Sequence, residues 1–197
     1  VLACHEGHAH GTVDFKGALA QSCNGAFATM GLSLDKEKWA DMCEEFGFNQ
    51  ELPIDLLYSK SSFVVDSEST DWDIMQSAIG QGKTMESPIH NLMITSAVAN
   101  GGTMMAPYII DHTENADGEV ISKASPVQYR TVMTQEEANV LKEDMISVVA
   151  EGSGYQAACQ YVQVAGKTGS AQYNSTGGMP AWFTGFAPAE DPEIALT

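Results

Sequence analysis

Positive charge is scarce in this chain: nine lysines and arginines stand against 26 aspartates and glutamates in 197 residues, a net charge of -17. A surface of that sign repels the phosphates of nucleic acid and of acidic membranes, which sets both aside as partners. No apolar run approaches the roughly 18 residues of a spanning helix, and no basic stretch leads into an apolar one as in a signal peptide. Any address label or membrane anchor is therefore expected outside this segment. The four cysteines, Cys4, Cys23, Cys43 and Cys159, have no paired spacing, so buried or half-buried free thiols are expected rather than a disulfide framework. A second ligand cluster is also missing. Cys4-His5-Glu6-Gly7-His8-Ala9-His10 carries soft ligands that would suit zinc or copper, but a closed structural site draws on two separated pairs. The segment reads as a solvated loop, with neither metal nor cofactor.

What is present suffices for a full core: 44% of the residues are hydrophobic, and the length fits one domain or a large part of one. The chain is organised around Val162-Gln163-Val164-Ala165-Gly166-Lys167-Thr168-Gly169-Ser170-Ala171-Gln172. Alternation at a period of two puts Lys167 and Gly169 on one face of a strand, with Val162, Val164 and Thr168 on the other. A lysine followed two residues later by a bare backbone position makes an edge against which an anionic ligand can lie. The same stretch can equally be an edge strand with one solvated lysine. Gly166-Lys167-Thr168 matches the end of a nucleotide-binding P-loop, but the first glycine of that motif would fall where Tyr161 stands.

From Thr12, a plausible N-cap, the pattern is helical through Phe15, Ala18 and Leu19 and delivers Ser22-Cys23-Asn24 to a junction with a second short helix. Asp35 or Ser33 can cap the next helix, whose Trp39, Met42, Cys43 and Phe46 share an apolar face expected in the core before Gly47 stops it. Residues 49 to 71 read as an irregular excursion, and Ile79-Gly80-Gln81-Gly82 ends a short segment. Ser87-Pro88 opens a helix, with Leu92, Met93, Ser96 and Ala97 inward, that Asn100-Gly101-Gly102 stops. Met104 to Ile110 reads as a strand in a hairpin returning through Val120 and Ile121, with Asp117-Gly118 in the turn. Thr134-Gln135-Glu136-Glu137 is a capping box for a helix burying Ala138, Leu141, Met145 and Val148 and ending at Gly152-Ser153-Gly154. After the lysine strand come a Gly177-Gly178 turn, a strand over Ala181 to Ala187, a turn at Asp191-Pro192 and a third strand from Glu193.

A Ser-x-Asn at a helix junction and a much later Lys-Thr-Gly on a strand with an antiparallel return form an ordered pair. The chain resembles the transpeptidase domain of the penicillin-binding proteins, most closely the monofunctional ones. The resemblance runs through His10-Gly11, Ser22 to Phe27, Phe46-Gly47-Phe48, Ile79 to Gly82, Ser87-Pro88-Ile89, Ala99 to Gly102, Ala165 to Gln172 and Ala181 to Pro188. It implies an α+β fold like that of the serine β-lactamases, a helical subdomain packed against an antiparallel sheet. It also implies acyl transfer on the D-Ala-D-Ala end of peptidoglycan stem peptides, with β-lactam antibiotics as mimics, at the outer face of the bacterial membrane.

By that resemblance, Ser22 relays a proton to the leaving nitrogen and Asn24 holds the peptide amide. Lys167 supplies positive charge and polarises Ser22, and the hydroxyls of Thr168 and Ser170 bind the substrate carboxylate. The Ser170 backbone N–H is one of two oxyanion-hole donors, and Gly169 leaves room for the substrate. The family's nucleophile stands in a Ser-x-x-Lys before the Ser-x-Asn, and no residue before Ser22 has that spacing. Ser33-Leu34-Asp35-Lys36 has it but follows Ser22, and reads as a helix start. Residues 1–197 are thus expected to be a partial transpeptidase domain, truncated at both ends and unable alone to form a covalent penicillin adduct. The alternatives are a serine β-lactamase, disfavoured because no Glu-x-x-x-Asn lies between the two motifs, a β-lactam sensor, and a non-catalytic scaffold.

Overall fold

The computed structural model describes residues 2, 4, 7, 9–171 and 180–197. Among them are α1 (Phe15–Ala20), α2 (Asn24–Ser33), α3 (Lys36–Phe46), α4 (Asp71–Ala78), α5 (Pro88–Ala99) and α6 (Gln135–Glu151). The strands are β1 (Thr103–Ala106), β2 (His112–Glu114), β3 (Val120–Lys123), β4 (Val127–Thr131), β5 (Ala165–Ser170), β6 (Ala181–Ala187) and β7 (Ile194–Leu196). They form the antiparallel pairs β1-β4 and β2-β3 and the antiparallel sheet β5-β6-β7, so the architecture is α+β.

The main core lies where that sheet meets α5 and α6. Val98 of α5 and Ala138, Met145 and Ile146 of α6 close on Ala165 of β5 and Phe186 of β6. Hydrogen bonds add register to this nondirectional packing: the hydroxyls of Thr95 and Thr184 are 2.5 Å apart, and Thr197 donates to Asn91 at 2.9 Å. A second cluster of Leu52, Met93, Ala97 and Met104 joins α5 to β1, and a third of Phe63, Val65 and Ile74 sits under α3.

Local sequence accounts for most boundaries. The capping box at Thr134 is formed, with Thr134 and Glu137 satisfying each other's backbone N–H. A second box, Thr70 with Asp73, starts α4, a helix absent from the sequence reading because aspartate replaces the usual glutamate at its third position. Other expectations are corrected. The cap of α1 is Asp14, whose carboxylate accepts from Gly17 N–H at 2.8 Å, and not Thr12. At α5 the Ser87 side chain makes no cap bond; its own N–H donates to Ser61 Oγ at 3.0 Å. The α3 face is only half-buried and Met42 is exposed: Trp39, Ala40 and Cys43 lie on the Phe63, Val65 and Ile74 cluster, and the helix buries no residue fully. Met104 stays in its strand only to Ala106 and pairs with β4, while β2 and β3 make the hairpin around Asp117-Gly118. The Gly177-Gly178 turn and Gln172 fall outside the described residues.

Candidate active site

The site begins with the way α1 stops. Ser22 N–H donates to Leu19 O at 3.1 Å and Cys23 N–H to Ala18 O at 2.9 Å, the crossed bonds of a Schellman termination. This termination needs a left-handed residue after the cap, and Ser22 supplies it at φ +51. A side chain in that region costs roughly 1–2 kcal/mol, which other residues avoid by placing glycine there. The reversal exposes the Ser22 hydroxyl, buries Cys23, and starts α2 at Asn24.

β5 approaches from the other side. Register pairs Lys167 with Thr184, Thr168 with Phe183, Gly169 with Trp182 and Ser170 with Ala181. Lys167 Nζ donates to Ser22 Oγ at 3.0 Å and to the carbonyl of Thr168 at 2.7 Å. Burial brings its amine down from the ordinary 10.5 to about 8. Lys167 therefore holds a cation that folding has partly stripped of water, beside an exposed hydroxyl and near neutral pH.

Glycine serves two different purposes along this strand. A Cβ on Gly166 would lie 2.3 Å from the Phe183 ring, so packing within the sheet demands the glycine. Among the described residues, a Cβ on Gly169 would meet only Trp182 Cβ, at 3.4 Å, so their packing tolerates a side chain there.

The structure therefore brings Ser22 and Lys167 into contact and lays Thr168, Gly169 and Ser170 along the same strand, with Asn24 two residues beyond Ser22 and itself engaged in an interaction. Sequence reasoning missed Ser153, which it took only as part of a helix stop. Ser153 Oγ lies 2.8 Å from Thr168 Oγ1, and Ser153 N–H donates to Ala20 O at 2.8 Å. The one available signal was its place between two glycines just after α6.

The misplaced Ser-x-x-Lys is no part of this arrangement. Ser33 Oγ donates to Met30 O, and Lys36 Nζ donates to the carbonyls of Ser67 and Ser69. The N-terminal segment differs from a solvated loop. Cys4 and His10 are half-buried and stand with Cys23 so that their ligand atoms lie within 4.8 Å of one another, the two thiols 3.7 Å apart. His5, Glu6 and His8 are outside the described residues.

Residues 3–197 match the penicillin binding protein transpeptidase domain. Stage V sporulation protein D of Bacillus subtilis is 32% identical over 202 residues, which take in 99% of this chain and 31% of that protein. The D,D-transpeptidase domain of a peptidoglycan glycosyltransferase from Eggerthella lenta superposes with a TM-score of 0.89 at 29% identity, covering 96% of this chain and 49% of the other. The penicillin G acyl-enzyme complex of penicillin-binding protein A from M. tuberculosis gives 0.83 at 28% identity, covering 95% and 42%. The chain thus spans about a third of the curated relative and less than half of either solved chain. With fold, motif order and nearly the whole length in agreement, it belongs to the penicillin-binding protein transpeptidase domain family.

Proposed function

We propose that this chain forms the substrate-gripping part of a peptidoglycan D,D-transpeptidase domain, which β-lactams acylate. The observation that carries the reading is the 3.0 Å bond from Lys167 Nζ to Ser22 Oγ. In the reaction, a serine from a Ser-x-x-Lys segment outside these residues attacks the carbonyl carbon of the D-Ala-D-Ala amide. The C–N bond breaks, and the departing nitrogen takes a proton relayed through the Ser22 hydroxyl. An amine of a neighbouring stem peptide then attacks the ester, releasing the serine and completing the cross-link.

Each remaining residue has a task in that scheme. Lys167 lends positive charge to Ser22, easing loss of its proton to the leaving group, and attracts the substrate's terminal carboxylate. Thr168 and Ser170 donate hydroxyls to that carboxylate, and Asn24 holds the peptide amide. Ser170 N–H points at the developing oxyanion, where removal of one donor elsewhere costs about 3–4 kcal/mol. Gly169 lies bare where a substrate backbone would run along the edge, which accounts for a glycine that packing among the described residues does not require. Stem peptides and β-lactams are the ligands, and the site works outside the cytoplasm, held at the membrane by an anchor beyond this chain.

The test is in the full-length protein, incubated with a fluorescent penicillin and separately with lipid-linked peptidoglycan precursor. Stoichiometric labelling with cross-linked product supports the transpeptidase. Labelling without cross-linking points to a β-lactam sensor, and rapid multiple-turnover release of hydrolysed drug to a β-lactamase. No labelling would leave a scaffold.

A further inference from the structure

Five residues close a ring around the candidate site. Ser22 Oγ accepts from Lys167 Nζ at 3.0 Å, and that amine also reaches the Thr168 carbonyl at 2.7 Å. Thr168 Oγ1 lies 2.8 Å from Ser153 Oγ, and Ser153 N–H donates to Ala20 O at 2.8 Å, two residues before Ser22. Ser153 is thus hydrogen-bonded both to the strand carrying Lys167 and to the helix end carrying Ser22.

The position is built to permit this. α6 ends by folding Gly152 and Gly154 N–H back onto Val148 O, which brings Gly152 so close to α1 that an added Cβ would lie 2.2 Å from Ala20 O. Ala20 is the last residue of α1, where carbonyls lack a partner within the helix, and Ser153 N–H satisfies it. The backbone bond fixes the gap between helix end and strand, leaving the Ser153 hydroxyl exposed with Thr168 as partner.

We infer that Ser153 is a positioning residue that orients the Thr168 hydroxyl toward the substrate carboxylate; the inference rests on the function proposed above. A threonine hydroxyl has one proton. If Thr168 gave that proton to Ser153 it would offer a carboxylate only lone pairs, and the two would repel. With Ser153 as donor, the Thr168 proton is free for the carboxylate, and a chain from Ser153 to Thr168 to the anion polarises in one direction, each bond strengthening the next. Ser153 touches no reacting atom in this scheme; it acts through Thr168.

The experiment measures second-order acylation of the full-length protein by benzylpenicillin and by its methyl ester, which lacks the carboxylate. The variants are Ser153→Ala, Ser153→Thr, Thr168→Val and the double variant Ser153→Ala/Thr168→Val. The inference expects Ser153→Ala to slow acylation by benzylpenicillin about five- to tenfold through weaker binding, with the maximal acylation rate retained. Ser153→Thr should restore it, the methyl ester should react equally with wild type and Ser153→Ala, and the double variant should be no slower than Thr168→Val. Wild-type rates in Ser153→Ala, equal losses on both drugs, or effects that multiply in the double variant would overturn the role. A wild-type protein that penicillin fails to acylate would instead strike down the proposed function beneath it.

Discussion

Lys167 Nζ lies 3.0 Å from Ser22 Oγ across 145 positions of sequence, a cation on a strand held against a hydroxyl at a helix reversal. The amine also donates to the carbonyl of Thr168, at 2.7 Å. Burial lowers its affinity for the proton, so its charge and its contact with Ser22 respond to pH in the range just above neutral.

The folded amine titrates at about 8 and the unfolded one at the ordinary 10.5. Between these values the unfolded chain binds more protons, so stability rises with pH across the window and is lost as pH falls toward 8. Lys167→Met should remove that component, seen as a flatter difference in denaturation midpoint between pH 7.5 and 10.5. In the full-length protein the same variant should cut penicillin acylation by about a hundredfold or more. Unchanged acylation would detach Lys167 from the reaction.

Gly152→Ala tests the seam between α6 and α1. The new Cβ would sit 2.2 Å from Ala20 O and 2.9 Å from Val148 O, both backbone atoms, so the helices must part. Overpacking of this kind costs about 1–3 kcal/mol, and Ser22, two residues from Ala20, should shift from Lys167. Urea denaturation and penicillin labelling are both expected to suffer. Full stability together with full labelling would mean that the seam yields without consequence.

Ser33→Ala should be nearly silent. Its hydroxyl donates to Met30 O within its own helix, and Asp35 rather than Ser33 caps α3. A loss of at most about 1 kcal/mol is expected, with labelling of the full-length protein unchanged. Abolished labelling would make Ser33 the nucleophile and reverse the assigned motif order.

The thiols should separate by reactivity. Burial, with Glu86 nearby, pushes Cys43 up to about 12, whereas backbone N–H groups of Tyr161 and Val162 lower the exposed Cys159. Because the thiolate is the nucleophile, iodoacetamide at pH 8 should modify Cys159 at least about a hundredfold faster than Cys43, read by peptide mass spectrometry. Comparable rates would show that α3 opens readily.

Much of the chain was legible because its signals are local. The Thr134 capping box, Pro88 at a helix start and the strand read over Ala181 to Ala187 each rest on neighbours within a few positions, and β6 has those bounds. The ordered Ser-x-Asn and Lys-Thr-Gly likewise indicated the family, because motif order survives sequence change. Contacts between distant segments were not legible. Met104 pairing with β4 rather than joining the hairpin, and the half-exposure of α3, depend on competing partners that one-dimensional pattern does not rank.

By itself the sequence determined where α5 and α6 begin, the family to which the chain belongs, and its acidic character. Only the tertiary structure decided that Ser22 takes a left-handed backbone, that Lys167 loses enough water to titrate near 8, and that Ser153 joins Ala20 to Thr168. The physical reason is common to all three. Backbone strain, desolvation and a bond between remote segments are set by what the folded chain places around a residue, and no window of neighbouring residues contains that environment.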